Sequence, residues 1–103
     1  MIYLKRHHSE NGFILALCDE ELIGKRYEDG KRQLDLETYS GFYKGERLDE
    51  KSAEEEVSKE KFYSANIVGK RSISIFVKHG LLDKSGISEI CGIPYAQIFS
   101  ISD

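Results

Sequence analysis

The chain has 103 residues, of which 40% are hydrophobic and 32% charged. That is the size and apolar content of a single domain (residues 1–103) with a core of its own, which excludes a disordered chain. With 18 acidic against 15 basic residues the net charge is −3, so no global positive field exists and any contact with a polyanion must come from a local patch. No apolar run is long enough for a membrane span, and Met1-Ile2-Tyr3-Leu4-Lys5-Arg6 lacks the apolar stretch and cleavage site of a secretory signal. The expectation is a cytoplasmic protein without a membrane partner.

Residues 2–6 read as a first strand, and residues 13–18 as a continuous apolar run fit for a buried second one. Between them, Ser9-Glu10-Asn11-Gly12 carries the Asn-Gly signal of a tight hairpin, in which both residues tolerate positive φ. Asp19 then predicts the cap of a short helical turn with an acidic start, closed by Gly24. Residues 27–31 are turn-like around Asp29-Gly30, and residues 33–37 alternate as a half-buried strand does. Residues 38–41 form another turn, and residues 42–45 a short strand or bend. Residues 49–61 predict an exposed, highly charged helix. There Ser52 and Glu55 have capping-box spacing, Ala53 and Val57 share one face, and Glu55 can pair with Lys59.

Residues 66–80 carry two patterns at once. Ser72-Ile73-Ser74-Ile75-Phe76-Val77 alternates and is β-branched, as a strand is. Ile67, Ile73, Phe76 and Val77 also fall on one helical arc, between a capping Asn66 and a His79-Gly80 terminus. The helix is the reading adopted. Residues 87–91 and 97–101 alternate and read as closing strands, with Gly92-Ile93-Pro94 between them. Pro94, the single proline, suits a turn or an edge because it has no N–H to give to a ladder.

Four segments in order resemble a small archaeal family of unknown function, domain of unknown function four-two-four. They are Leu17-Cys18-Asp19-Glu20-Glu21-Leu22-Ile23-Gly24-Lys25, Phe42-Tyr43-Lys44-Gly45-Glu46, Ala65-Asn66-Ile67-Val68-Gly69-Lys70-Arg71 and Gly92-Ile93-Pro94-Tyr95-Ala96-Gln97. The resemblance spans nearly the whole chain. It implies an archaeal, cytoplasmic protein and favours the helix over 66–80, and its housekeeping character points to translation or RNA metabolism. It carries no activity. The family often has His where this chain has Tyr95, so no acid, base or ligand role transfers to that position.

Leu22-Ile23-Gly24-Lys25-Arg26 is nearly repeated as Ile67-Val68-Gly69-Lys70-Arg71. A glycine lets the backbone approach a ligand, while Lys and Arg bring charge and forked donors. At a helix start, unpaired N–H groups add an anion site. Two such elements side by side can grip two phosphates of an RNA backbone. Neither is a P-loop, since the glycine spacer and the Ser or Thr after Lys are missing. The competing reading is structural: Gly-Lys-Arg is also an ordinary way to begin or end an element.

Tyr39, Phe42 and Tyr43, with Lys44 and Arg47 nearby, form a candidate platform for stacking bases, or else pin a bent strand to the core. Cys18 and Cys91 fit neither a CxxC pair nor a disulfide framework and read as two buried free thiols. Cys18, just before a helical turn, is the candidate nucleophile, although Asp19, Glu20 and Glu21 oppose its thiolate. His7 and His8 point to opposite faces of a strand, and His79 suits a helix C-terminus. No metal, cofactor or catalytic acid–base pair is predicted.

The expected architecture is α+β: a mostly antiparallel sheet opened by the N-terminal hairpin, with two middle helices packed on it. The expected function is a non-enzymatic binding module on RNA or on ribosomal and translation proteins. Its contacts would be Gly24, Lys25, Arg26, Gly69, Lys70 and Arg71, with Tyr43 and Lys44 behind them. One alternative is a protein–protein adaptor presenting the acidic helix 49–61, with Glu54, Glu55 and Glu56, to a basic partner. The other is a small enzyme using Cys18.

Overall fold

A computed structural model of the chain describes residues 1–59 and 61–99. Strands β1 (Ile2–Ser9) and β2 (Gly12–Asp19) form the expected hairpin, in register from Ser9 opposite Gly12 to Ile2 opposite Asp19. The reversal is the two-residue Glu10-Asn11 turn, in which neither residue takes positive φ, and Gly12, which opens β2, has φ +128°. A 3₁₀ turn (Glu20–Leu22) leads to a small hairpin, β3 (Arg26–Asp29) and β4 (Arg32–Asp35), followed by the helical turn α1 (Ser40–Tyr43). Then come β5 (Glu46–Leu48), α2 (Glu50–Lys59), β6 (Ser64–Val68), α3 (Lys70–Lys78), a second 3₁₀ turn (Lys84–Gly86), β7 (Ser88–Ile90) and β8 (Ile93–Phe99).

The main sheet runs β5-β1-β2-β6-β8-β7. Of its pairs, β2–β6 is parallel and the other four are antiparallel, so the mostly antiparallel α+β expectation describes the molecule. Strand alternation sorts the side chains between two covered faces. Ile2, Leu4, Leu15, Leu17, Ala65, Ile67 and Ala96 meet Ala53 and Val57 of α2 and Ile73 and Phe76 of α3. On the other face Cys18 and Val68 pack with Leu22 and Leu36, flanked by Tyr27, Leu34, Tyr43, Ile93 and Tyr95. Cover on both sides is why residues 13–18 read as an unbroken apolar run. Each fully buried large side chain, Phe76 among them, contributes about 1.5–3 kcal/mol.

Several elements differ from expectation. Residues 64–68 form a central strand, so the helix begins at Lys70 and Asn66 is a half-buried strand residue, not a cap. Lying between β2 and β8 gives this segment ladder bonds on both sides, which outweighs its helical arc. The helix end was legible: the Leu81 amide donates to Phe76 O (2.9 Å) and the Gly80 amide to Val77 O (3.1 Å), the Schellman pattern. Helix α2 is capped by Asp49, whose Oδ1 accepts the Ser52 amide at 2.7 Å, in place of the Ser52 box. Residues 27–31 belong to the β3–β4 hairpin, and Phe42 and Tyr43 lie within the helical turn α1, whose C-cap is Lys44, where a short strand or bend was expected.

Pro94 lies inside β8, opposite Glu89, with Cys91 and Gly92 making the tight turn before it. Glu60 of the expected helix 49–61, and residues 100–101 of the expected last strand, lie outside the described residues. Among the described residues no helix is long and apolar enough to cross a membrane.

Candidate functional site

The parallel strands β2 and β6 end side by side, and α3 starts from that end. Leu15, Leu17 and Asp19 alternate onto the helix-covered face, which carries the Asp19 carboxylate beneath the first turn of α3, where it is only 2% exposed. It makes no bond to its own 3₁₀ turn. Instead Oδ1 accepts the Ser72 amide (2.9 Å) and the Ser72 hydroxyl (2.7 Å), while Oδ2 accepts the Arg71 amide (3.1 Å).

Gly69 makes this possible. Its φ of +106° and ψ of 155° belong to glycine alone. A Cβ there would stand 2.5 Å from Asp19 Oδ2 and 2.7 Å from Oδ1. The Gly69 amide donates to Pro94 O at 2.8 Å. Proline cannot return that bond, and the Gly69 carbonyl accepts the Ile73 amide at 2.9 Å, the first bond of α3.

A cleft of about 560 Å³ opens at this junction, lined by Glu21 and Leu22, by Gly69 to Arg71, and by the β7–β8 turn from Cys91 to Pro94. The helix amides expected to hold an external anion already hold an internal one: the Arg71 and Ser72 N–H groups are engaged by Asp19. The arginines are engaged too. Arg71 binds Glu21, reaches Met1 O at 3.4 Å and lies 3.7 Å from Glu50. Arg26 lies 3.4 Å from both Asp35 and Glu37 and donates to Thr38 at 3.3 Å. The lysines are not: Lys25 and Lys70 are exposed, and neither side chain has a bonding partner among the described residues.

The two Gly-Lys-Arg segments lie on different elements, and only the second is part of this cleft. The second lines it directly, and the first is joined to it by the Lys25 amide, which donates to Leu22 O at 3.2 Å.

The aromatic platform is divided by the fold. Tyr43 packs into the second core cluster, where burial, with the Cys18 sulfur adding, pushes its hydroxyl up to about 12. Phe42 is stacked on His7 at 4.3 Å and meets Tyr43 edge-on at 5.1 Å. Tyr39 is the ring left facing solvent, 63% exposed, while Lys44 is exposed beside the buried Tyr43.

Cys18 is fully buried, and burial, with the charges of Asp19 and Glu21 adding, pushes its thiol up to about 12. It stays protonated and shielded. Cys91 is exposed, against the expectation of two buried thiols. His7 pairs with Phe42 O (2.8 Å) and His79 with Glu54 (3.0 Å). Among the described residues no group of three or more His, Cys, Asp or Glu side chains is placed to hold a metal.

A family model described as protein of unknown function (DUF424) matches residues 7–101. The chain belongs to the DUF424 family. A crystal structure of an uncharacterized conserved protein from Methanopyrus kandleri is similar to this DUF424 chain, with a TM-score of 0.77 and 27% identity, covering 95% of this chain and 90% of that one. No curated protein matches it.

The site residue missing from the sequence reading is Asp19 in its true role. Its signal was present: an acid two residues beyond Leu17 on an apolar strand sits at an inward position, and a buried carboxylate must find donors.

Proposed function

We propose that this DUF424 protein is a non-enzymatic binding module for single-stranded RNA, or an RNA-containing complex of the translation machinery, in an archaeal cytoplasm, with Lys25 and Lys70 as its phosphate contacts. One observation carries the reading. In both Gly-Lys-Arg segments the arginine is tied to two carboxylates while the lysine has no bonding partner among the described residues; the second segment lines the cleft, and Leu22 of its wall bonds the first. A guanidinium held by internal acids fixes the backbone that presents the neighbouring ammonium as a point charge for a phosphate. This moves the phosphate contact in each pair from arginine to lysine.

The test is affinity for a short oligoribonucleotide, measured by anisotropy across a salt series. Replacing Lys25 and Lys70 together by Ala should flatten the log–log salt slope by about 1.4, two contacts on the single-strand scale. Wild-type affinity that does not change with salt would overturn the reading.

The adaptor reading draws less support. Glu54 lies 3.4 Å from Lys78 and 3.0 Å from His79, and Glu56 lies 2.9 Å from Arg6 and 3.7 Å from Lys59. Glu54 and Glu56 are thus engaged within the molecule while Glu55 is exposed, so charge reversal at Glu54 and Glu56 would strike the fold as well as any partner. The enzyme reading requires an accessible thiolate at Cys18. We expect alkylation of the native protein at Cys91, and at Cys18 only after unfolding; modification of native Cys18 would restore that reading.

A further inference from the structure

A second cleft adjoins the first Gly-Lys-Arg segment. Leu36 donates its amide to Lys25 O and accepts from the Gly24 amide, both at 2.8 Å. Leu36 also borders a slot of about 530 Å³ between β4 and α1. Leu34, Leu36, Phe42 and Tyr43 give this slot apolar walls, and Gln33, Asp35 and Tyr39 complete it.

The polar groups divide into engaged and free. Asp35 Oδ1 accepts the amides of Glu37 (3.1 Å) and Thr38 (2.9 Å), and Oδ2 faces Arg26 at 3.4 Å, so the carboxylate is already satisfied. Phe42 has one face covered by His7. Tyr39 keeps an open ring, and the exposed Gln33 amide has no partner among the described residues.

An open aromatic face and an amide that both donates and accepts are the two features that hold an unpaired base, one by stacking and the other by reading its edge. Among the described residues no uncompensated charge lines the slot, which fits a neutral heterocycle and disfavours a carboxylate or a phosphate. We propose that this slot is a nucleobase subsite, in which Tyr39 stacks on the base and Gln33 hydrogen-bonds its edge. That the base belongs to the strand whose phosphate Lys25 holds rests on the RNA reading above; the slot's fit to a base does not.

The experiment separates the two. Labelled protein is titrated by NMR with adenosine and uridine, which carry no phosphate. It is then titrated with a short oligoribonucleotide and with the same backbone lacking bases. We expect both nucleosides to shift the Gln33 side-chain amide and the Tyr39 ring. We expect the oligonucleotide to bind about tenfold more tightly than its abasic counterpart. Tyr39→Ala should abolish that ratio without altering the salt slope, and Gln33→Ala should change the ranking of the bases. Both side chains are exposed, so neither variant threatens the fold.

If the oligonucleotide and the abasic strand bind equally and nucleosides shift nothing at Tyr39 or Gln33, the subsite is overturned while the phosphate reading stands. If nucleosides shift those two residues but the oligonucleotide shows no salt-dependent binding, the subsite holds for a free nucleoside ligand and the RNA reading falls.

Discussion

Gly24 and Gly69 hold the same place in two nearly identical pentapeptides, yet they are required for different reasons. Both have positive φ, +87° and +106°. A Cβ on Gly24 would meet nothing within 4 Å, whereas one on Gly69 would collide with the Asp19 carboxylate. The first copy turns in open space toward the β3–β4 hairpin. The second is enclosed, because a distant acid must reach the amides of α3 past it. The difference teaches that a local motif does not set its own energetics: the partner that arrives from elsewhere in the chain decides which glycine is replaceable.

That contrast can be broken by substitution. Gly69→Ala should be the most damaging, about 3–4 kcal/mol in urea unfolding, because it adds backbone strain to displacement of the cap. Asp19→Ala should cost about 2–3 kcal/mol, since it leaves two amides and a buried hydroxyl without an acceptor. Asp19→Asn, which keeps one side-chain oxygen for Ser72, should lose less than half as much. Gly24→Ala should cost only about 1 kcal/mol, the strain of a left-handed residue with room around it. Equal losses at Gly24 and Gly69 would show that backbone conformation alone matters and that the enclosure by Asp19 does not.

The sequence made the local devices legible. The N-terminal hairpin, the charged helix around Ala53 and Val57, and the glycine stop at Gly80 each follow from neighbours a few residues apart. What it hid was non-local. Ser64 to Val68 is too short and too mixed, with Asn66 at its centre, to announce a strand, and only β2 and β8 on either side make it one. Strand β5 is three residues long and exists through its pairing with Ile2 to Leu4. In the candidate site, the repeated Gly-Lys-Arg pattern was visible, but the carboxylates that the fold brings to its arginines, Asp35 and Glu37 at Arg26 and Glu21 and Glu50 at Arg71, were not. Tyr43 looked like a surface ring until the β3–β4 hairpin closed over it.

The carboxylate that caps α3 lies 53 residues before Ser72, which it holds, and this has a consequence for the order of assembly. Nine residues are too few for a stable helix in water, and no nearby side chain closes the N-terminus of this one. The start of α3 therefore waits for β2 and β6 to come together, a loop closure across half the chain. Once made, it is fastened to the centre of the sheet. Most helix ends fray first; here the amides of Arg71 and Ser72 should exchange with solvent only when the parallel strands themselves part, among the last in the molecule to set and among the last to loosen.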